Sequence, residues 1–222
     1  SVQGRELAGR VLETLRDEAY RASIALAREK GSFPLLQAPD FLARPFIRRL
    51  PETLRDGIRT SGIRNSHLLA LAPTGSISLL AGNVSTGIEP CFAGSVRRLI
   101  RRRSGKSDSV ELQDYALRLW QERDDDDPLP PAFVTAMELL PDDHLAMQAT
   151  AQGFVDNAIS KTINVPTGIP FEAFRNVYRK AYELGLKGCT VYRQGSRGAD
   201  ILTAATGAEC ISGACRTEDV AD

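Results

Sequence analysis

Apolar residues recur at spacings of three and four between residues 4 and 30, at Leu7, Val11, Leu15, Ala19, Ala22 and Leu26. This pattern predicts one long amphipathic helix, stopped by Gly31. Pro34, Pro39, Pro45 and Pro51 then interrupt the chain before a short polar helix over Glu52–Thr60, closed by Gly62. The run Leu68-Leu69-Ala70-Leu71-Ala72 has no polar position and breaks at Pro73, which is the pattern of a strand buried on both faces. Pro73-Thr74-Gly75-Ser76-Ile77-Ser78 reads as a turn opening one or two helical turns. A strand that becomes basic is expected within residues 92–103, and a helix over Val110–Arg123 with Leu112, Tyr115, Leu119 and Trp120 toward one face. Asp124–Asp127 and the prolines after it form a solvated loop.

The second half repeats the alternation. A helix over Asp142–Val155 begins with acidic residues that suit its dipole. Residues 158–165 alternate like a strand, and Phe171, Phe174, Val177, Tyr178, Ala181 and Leu184 make a helical stripe ended by Gly185. A last short strand is expected at Cys189–Tyr192, with Gly188 before it. Residues 196–222 are poor in large apolar residues and read as a mobile tail. Helices between short apolar strands, with no hairpin signal, indicate an α/β layer architecture in which Leu68–Ala72, Ala158–Val165 and Cys189–Tyr192 are parallel neighbours. Three or four strands are few for a complete sheet.

Composition narrows the function. The 222 residues carry 28 Lys+Arg and 28 Asp+Glu, so the net charge is zero and nothing favours a general nucleic-acid or membrane-surface binder. The longest apolar runs are far short of the roughly 18 residues of a membrane span. Four cysteines, Cys91, Cys189, Cys210 and Cys215, are too few and too scattered for a disulfide scaffold, which implies a reducing, cytoplasmic setting. The first residue is Ser1 rather than Met, as expected of a processed product or a piece of something longer.

Chemistry concentrates in a few places. The turn at Pro73–Ser78 offers free backbone N–H groups and hydroxyls, which can bind phosphate without a lysine; a plain helix cap by Thr74 or Ser76 is the competing reading. Gly105-Lys106-Ser107 lacks the earlier glycine of a P-loop, because Ile100 stands there, and no G-x-G-x-x-G opens a helix. The basic run from Arg97 to Lys106 suits a charged strand edge better than a nucleic-acid site. Cys210 and Cys215 form a C-x4-C pair suited to thiol–disulfide exchange on an exposed tail, with two incidental cysteines as the competing reading that composition alone favours; as a zinc site the pair lacks further ligands at motif spacing. His67 and His144 have no Ser, Cys or second His at motif spacing and are read as ordinary structural histidines.

Four blocks in order carry a specific resemblance: Arg64–Ser78 (RNSHLLALAPTGSIS), Gly87-Ile88-Glu89-Pro90, Val155–Pro166 (VDNAISKTINVP) and Ala181–Arg193 (AYELGLKGCTVYR). Together they resemble the adenosylcobalamin-dependent (class II) ribonucleotide reductases over most of residues 4–198. The resemblance implies that residues 1–195 are the C-terminal portion of the family's ten-stranded α/β barrel and residues 196–222 a flexible tail. It further implies that Thr74, Gly75, Ser76, Ile77 and Ser78 hold the substrate's phosphates. Cys210 and Cys215 match the tail pair that re-reduces the active site with a thioredoxin-like reductant, and Tyr192 is structural. The family's N-x-C-x-E finger loop, whose cysteine becomes the thiyl radical, is absent from these residues, so the upstream half of the same enzyme is expected to supply it.

The implied function is therefore part of an enzyme that converts ribonucleotides to 2′-deoxyribonucleotides by adenosylcobalamin-initiated thiyl chemistry, inactive as this segment alone. No cobalamin-binding residue is assigned by the resemblance, and no metal, nucleic-acid or membrane partner is implied. The alternative is a non-catalytic phosphate- or nucleotide-binding module that keeps the turn without the chemistry.

Overall fold

A computed structural model of the chain describes residues 1–84, 87–101, 105, 107–123, 127–196 and 202–204. The chain divides into two compact units, one formed by Ser1–Leu71, Ala146–Ile159 and Ala181–Gly188, the other by Ala72–Leu145, Ser160–Lys180 and Cys189–Asp222.

The first unit is built on helix α1, Val2–Lys30, which Ser1 caps by accepting the Gly4 N–H and which ends at Gly31 as expected. Helices α2 (Ala38–Ala43) and α3 (Glu52–Ser61) follow, with a 3-10 turn at Ile47–Arg49 inside the proline-rich stretch. Tyr20, Ile24, Phe41, Ile47, Leu50, Leu54, Ile58 and Ile63 pack into one core, with Phe46 stacked on Tyr20.

The face that α1 buries is not the one its apolar spacing selects. Its inner side carries Gly9, Leu12, Arg16, Tyr20, Ser23, Ile24 and Ala27, whereas Leu7, Val11 and Leu15 are 55%, 59% and 50% exposed. The inner face hides its polar groups by pairing them. Arg16 lies over the Phe154 ring and binds Asp17, while Ser23 exchanges hydrogen bonds with Asn65. The Leu7–Val11–Leu15 stripe thus remains uncovered in this chain, and an uncovered apolar stripe favours association. The isolated chain is expected to bind a hydrophobic dye and to self-associate, and the triple substitution of Leu7, Val11 and Leu15 by Gln should reduce both without lowering the melting temperature. Light scattering and dye fluorescence on the two proteins check this.

The expected parallel order is present, in shorter pieces. Leu71 makes a parallel bridge with Ile159 in the first unit. In the second, β3 (Thr162–Val165) pairs parallel with β4 (Thr190–Arg193), in register Thr162 with Thr190. Helix α6 (Pro141–Gln152) precedes β3, and α7 (Phe171–Glu183) lies between β3 and β4 in sequence. The Leu68–Ala72 run is not a strand buried on both faces. Ala70 and Ala72 are exposed, and among the described residues the run has a strand partner on one side only.

The second unit also contains a hairpin, which corrects the expectation of none. Strand β1 (Ser95–Arg101) pairs antiparallel with β2 (Ser107–Gln113), and β5 (Leu202–Ala204) adds to the other edge of β1. Gly105, at φ 80°, supplies the left-handed turn residue between the strands. Val110 and Leu112 alternate with Ser109, Glu111 and Gln113, a period of two, so the expected helix begins only at α5 (Tyr115–Gln121), capped by Asp114. Part of the supposed tail, Leu202–Ala204, is therefore paired strand; the remainder of residues 197–222 lies outside the described residues.

Candidate phosphate site and its supports

The apolar run that ends at Pro73 delivers Thr74 in the left-handed region, φ 51° and ψ 16°. A β-branched residue rarely occupies that region, so its conformation is strained. Helix α4 (Gly75–Leu80) starts directly after it. A left-handed residue followed by a right-handed one turns successive N–H groups to the same side, the arrangement that forms an anion-binding concavity. The first helical bond is donated by the Ser78 N–H to Thr74 O at 2.7 Å, and Thr74 makes no side-chain cap. The N–H groups of Gly75, Ser76 and Ile77 consequently have no acceptor within the helix.

The five residues expected at this site do not contribute alike. Thr74 and Gly75 are half-buried, and Ser76 and Ile77 are exposed. Ser78 is buried and its N–H is engaged, so it braces the turn from inside. A Cβ built on Gly75 meets nothing within 4 Å. Asn83, itself left-handed at φ 63°, closes the helix by donating its N–H to Ser78 O and its amide to Gln113 O.

The Gly87–Pro90 block approaches this turn. Gly87 has φ 77°, and a Cβ there would lie 2.9 Å from Ala72 O and 4.0 Å from Thr74 Oγ1. Two residues on, both oxygens of Glu89 are engaged: Oε1 accepts the Thr162 N–H at 2.5 Å, and Oε2 accepts from Lys161 Nζ at 2.6 Å. Lys161 is 2% exposed, and its ammonium also donates to Thr162 O at 2.6 Å and to His144 Nδ1 at 2.8 Å. All three of its N–H bonds have acceptors. Burial pulls the Lys161 pKa down, against the hydrogen bond and charge of Glu89, which hold it up.

His144 is structural, as its lack of a catalytic partner at motif spacing suggests, but it is tied into the buried cluster around Lys161 rather than into the acidic first turn of its helix. It is buried, and the tautomer that satisfies both contacts donates Nε2–H to Ala136 O and accepts from Lys161 at Nδ1. Burial, then the neighbouring Lys161 charge, lowers its pKa to about 4. The folded value lies below the ordinary histidine value of 6.5, so between the two the unfolded chain binds more protons. Stability from this residue is complete above about pH 6.5 and is lost as pH falls toward 4, on the order of 3 kcal/mol in all. The difference in unfolding free energy between the protein and its His144→Gln variant should therefore shrink between pH 7 and pH 4.5. Urea titrations at the two pH values measure it.

In the first unit Asp156 does comparable work for the backbone. Its Oδ2 accepts from Tyr20 Oη at 2.9 Å and from the Leu68 N–H at 2.8 Å, and its Oδ1 from the Leu69 N–H at 2.8 Å. Burial, followed by the Asp156 charge, raises the Tyr20 pKa, so the phenol stays a donor. The entry of the 68–72 run is fixed by a side chain rather than by a second strand.

The remaining candidates separate from this site. Cys91 donates to Val134 O, and burial pushes its thiol up to about 11; Cys189 is also raised by burial. Burial disfavours the thiolate of both. Cys210 and Cys215 lie outside the described residues, as do Arg102, Arg103 and Lys106. Arg97 is exposed on β1, and Tyr192 is half-buried on β4 opposite Asn164. Among the described residues no three His, Cys, Asp or Glu side chains converge to hold a metal, and no helix is long and apolar enough to cross a membrane. Sequence reasoning gives Glu89, Lys161 and Asp156 no site role and reads His144 only as structural, although a lysine inside the alternating run 158–165 is a visible sign.

Known proteins share this framework. The family model for the ribonucleotide reductase barrel domain matches residues 1–192. The vitamin B12-dependent ribonucleoside-diphosphate reductase of Thermoplasma acidophilum is 33% identical over 223 residues, covering 93% of this chain and 27% of that protein. The reductase of the same name from Mycobacterium tuberculosis is 34% identical over 226 residues, covering 92% of this chain and 30% of that protein. The vitamin B12-dependent ribonucleotide reductase of Streptomyces clavuligerus is 25% identical over 256 residues, covering 91% and 26%. The chain spans less than a third of the length of these relatives. The matched region takes in the Thr74 turn, its Gly87–Glu89 support and both strands of the parallel pair, and the chain belongs to the ribonucleotide reductase family as part of its barrel domain.

Proposed function

We propose that the protein containing this chain reduces ribonucleotides to 2′-deoxyribonucleotides, and that this segment holds the substrate by its phosphates. The observation that carries the proposal is the Thr74–Ile77 turn, where a left-handed threonine presents three N–H groups without helical acceptors. Those N–H groups, with the hydroxyls of Thr74 and Ser76, would bind phosphate oxygens, while Ser78 holds the turn from behind. Charge-assisted hydrogen bonds of this kind contribute about 1.5–3 kcal/mol each.

The relatives' names point to adenosylcobalamin, which supplies the initiating radical by cleavage of its Co–C bond. A cavity among the described residues is small beside such a group. It measures about 400 Å³ and is lined by Ile169, Phe171, Phe174, Val191, Arg193 and Ser196. Drug-sized ligands already take roughly 300–1,000 Å³, and a corrin with its nucleotide loop is several times larger. Its contacts would therefore fall largely to other parts of the protein, as would the N-x-C-x-E cysteine, which is not among these 222 residues.

Cys210 and Cys215 are assigned the re-reduction step, in which their thiols become a disulfide as the active-site disulfide is reduced, to be restored by a thioredoxin-like protein. A reducing, cytoplasmic compartment fits that cycle. The test is turnover of a ribonucleoside diphosphate by the full-length protein with adenosylcobalamin and a dithiol. Formation of the deoxyribonucleotide only when the cofactor is present supports the proposal. Nucleotide binding with no reduction would favour the phosphate-binding module instead.

A further inference from the structure

We infer that Glu89 is the positioning residue of the phosphate-binding turn, acting through Gly87 and held in place by the buried Lys161. The inference rests on the phosphate-clamp reading and names the device that sets the clamp's geometry.

Glu89 engages two consecutive residues with its two oxygens, Lys161 through the ammonium and Thr162 through the backbone N–H. Both are referenced to the parallel pair, since Lys161 O accepts the Thr190 N–H at 3.1 Å and Thr162 opens β3. The carboxylate is thus fixed relative to the sheet. Two residues of chain reach at most about 7 Å, so fixing Glu89 also fixes Gly87. Gly87 has no spare room: a Cβ would stand 2.9 Å from Ala72 O. Its backbone therefore abuts Ala72, two residues before Thr74, and faces the Thr74 hydroxyl. Any slack at Glu89 becomes slack behind the strained threonine on which the three N–H groups depend.

The chemistry of the cluster fits a geometric role better than a stabilising one. A buried ion pair contributes little net stability, because desolvation offsets most of the attraction, and an apolar pair of equal volume often does as well. What an ion pair with every donor satisfied does supply is a single arrangement. Lys161 has three acceptors at 2.6–2.8 Å, one of them the neutral His144, which leaves its ammonium one orientation.

The experiment uses the full-length protein and measures the Kd of a ribonucleoside diphosphate by calorimetry, kcat at saturation and the melting temperature. Glu89→Gln keeps an acceptor for the Thr162 N–H but removes the countercharge of Lys161. It is expected to weaken nucleotide binding about three- to thirtyfold, the range for residues that act on a site without touching its ligand, with a smaller change in kcat. Glu89→Asp should recover part of the affinity. Gly87→Ala pushes on the same contact and should weaken binding comparably, and combining it with Glu89→Gln should be no worse than the poorer single variant. If Glu89→Gln folds poorly, Gly87→Ala alone decides. An unchanged Kd in both variants, with only a lowered melting temperature, would overturn the inference and leave the cluster merely structural. An unchanged Kd in Ser76→Ala as well would instead overturn the clamp reading, and the inference with it.

Discussion

Gly75→Val in the full-length protein is expected to weaken ribonucleotide binding about a hundredfold or more, the equivalent of losing two charge-assisted hydrogen bonds. The structure separates this effect from misfolding. Gly75 is helical, its φ is not positive, and a Cβ there meets nothing within 4 Å. The chain has room for the side chain, whereas a phosphate drawn up to the backbone N–H groups does not. Ser76→Ala removes one exposed hydroxyl and should cost about tenfold in affinity. Arg97→Ala on the exposed face of β1 should change little. Calorimetry on the three variants, with circular dichroism to confirm folding, compares them directly; strong loss in Arg97→Ala alone would move the phosphate site to the hairpin.

The largest effect on stability is expected from Asp156→Ala. Its carboxylate receives three hydrogen bonds, from Tyr20 Oη and the N–H groups of Leu68 and Leu69, and it is buried. Removing it strands three donors away from water, which should cost about 3–5 kcal/mol. For a chain of this size that corresponds to a fall in melting temperature of about 10 °C or more. Tyr20→Phe deletes one donor and leaves the carboxylate two N–H partners, so it should cost about 1–2 kcal/mol. Thermal melts of both variants check the ordering; Tyr20→Phe proving the worse would mean that the aromatic contact, not the carboxylate, holds this region.

What the sequence made legible follows local rules. The α/β alternation, the parallel relation of β3 and β4, and the Thr74 turn were readable because apolar runs, glycines and prolines mark them. The inner face of α1 was not, because Arg16 and Ser23 become burial-compatible only through Phe154, Asp17 and Asn65, and two of these three are distant in sequence. The hairpin was hidden for a different reason. Gly105-Lys106 reads as an incomplete nucleotide motif, whereas Gly105 makes the turn between β1 and β2. The long-range pairings within each unit were least legible of all. Glu89 meets Lys161 across 72 residues and Tyr20 meets Asp156 across 136, and no local pattern encodes a pairing at that distance.

The proposed clamp for the substrate's phosphates is the Thr74–Ile77 turn. The most direct measurement is a crystal structure of the full-length protein with a bound ribonucleoside diphosphate. Phosphate oxygens within about 3 Å of the N–H groups of Gly75, Ser76 and Ile77 are the expected result. Phosphates bound elsewhere, with those N–H groups facing solvent, would contradict it.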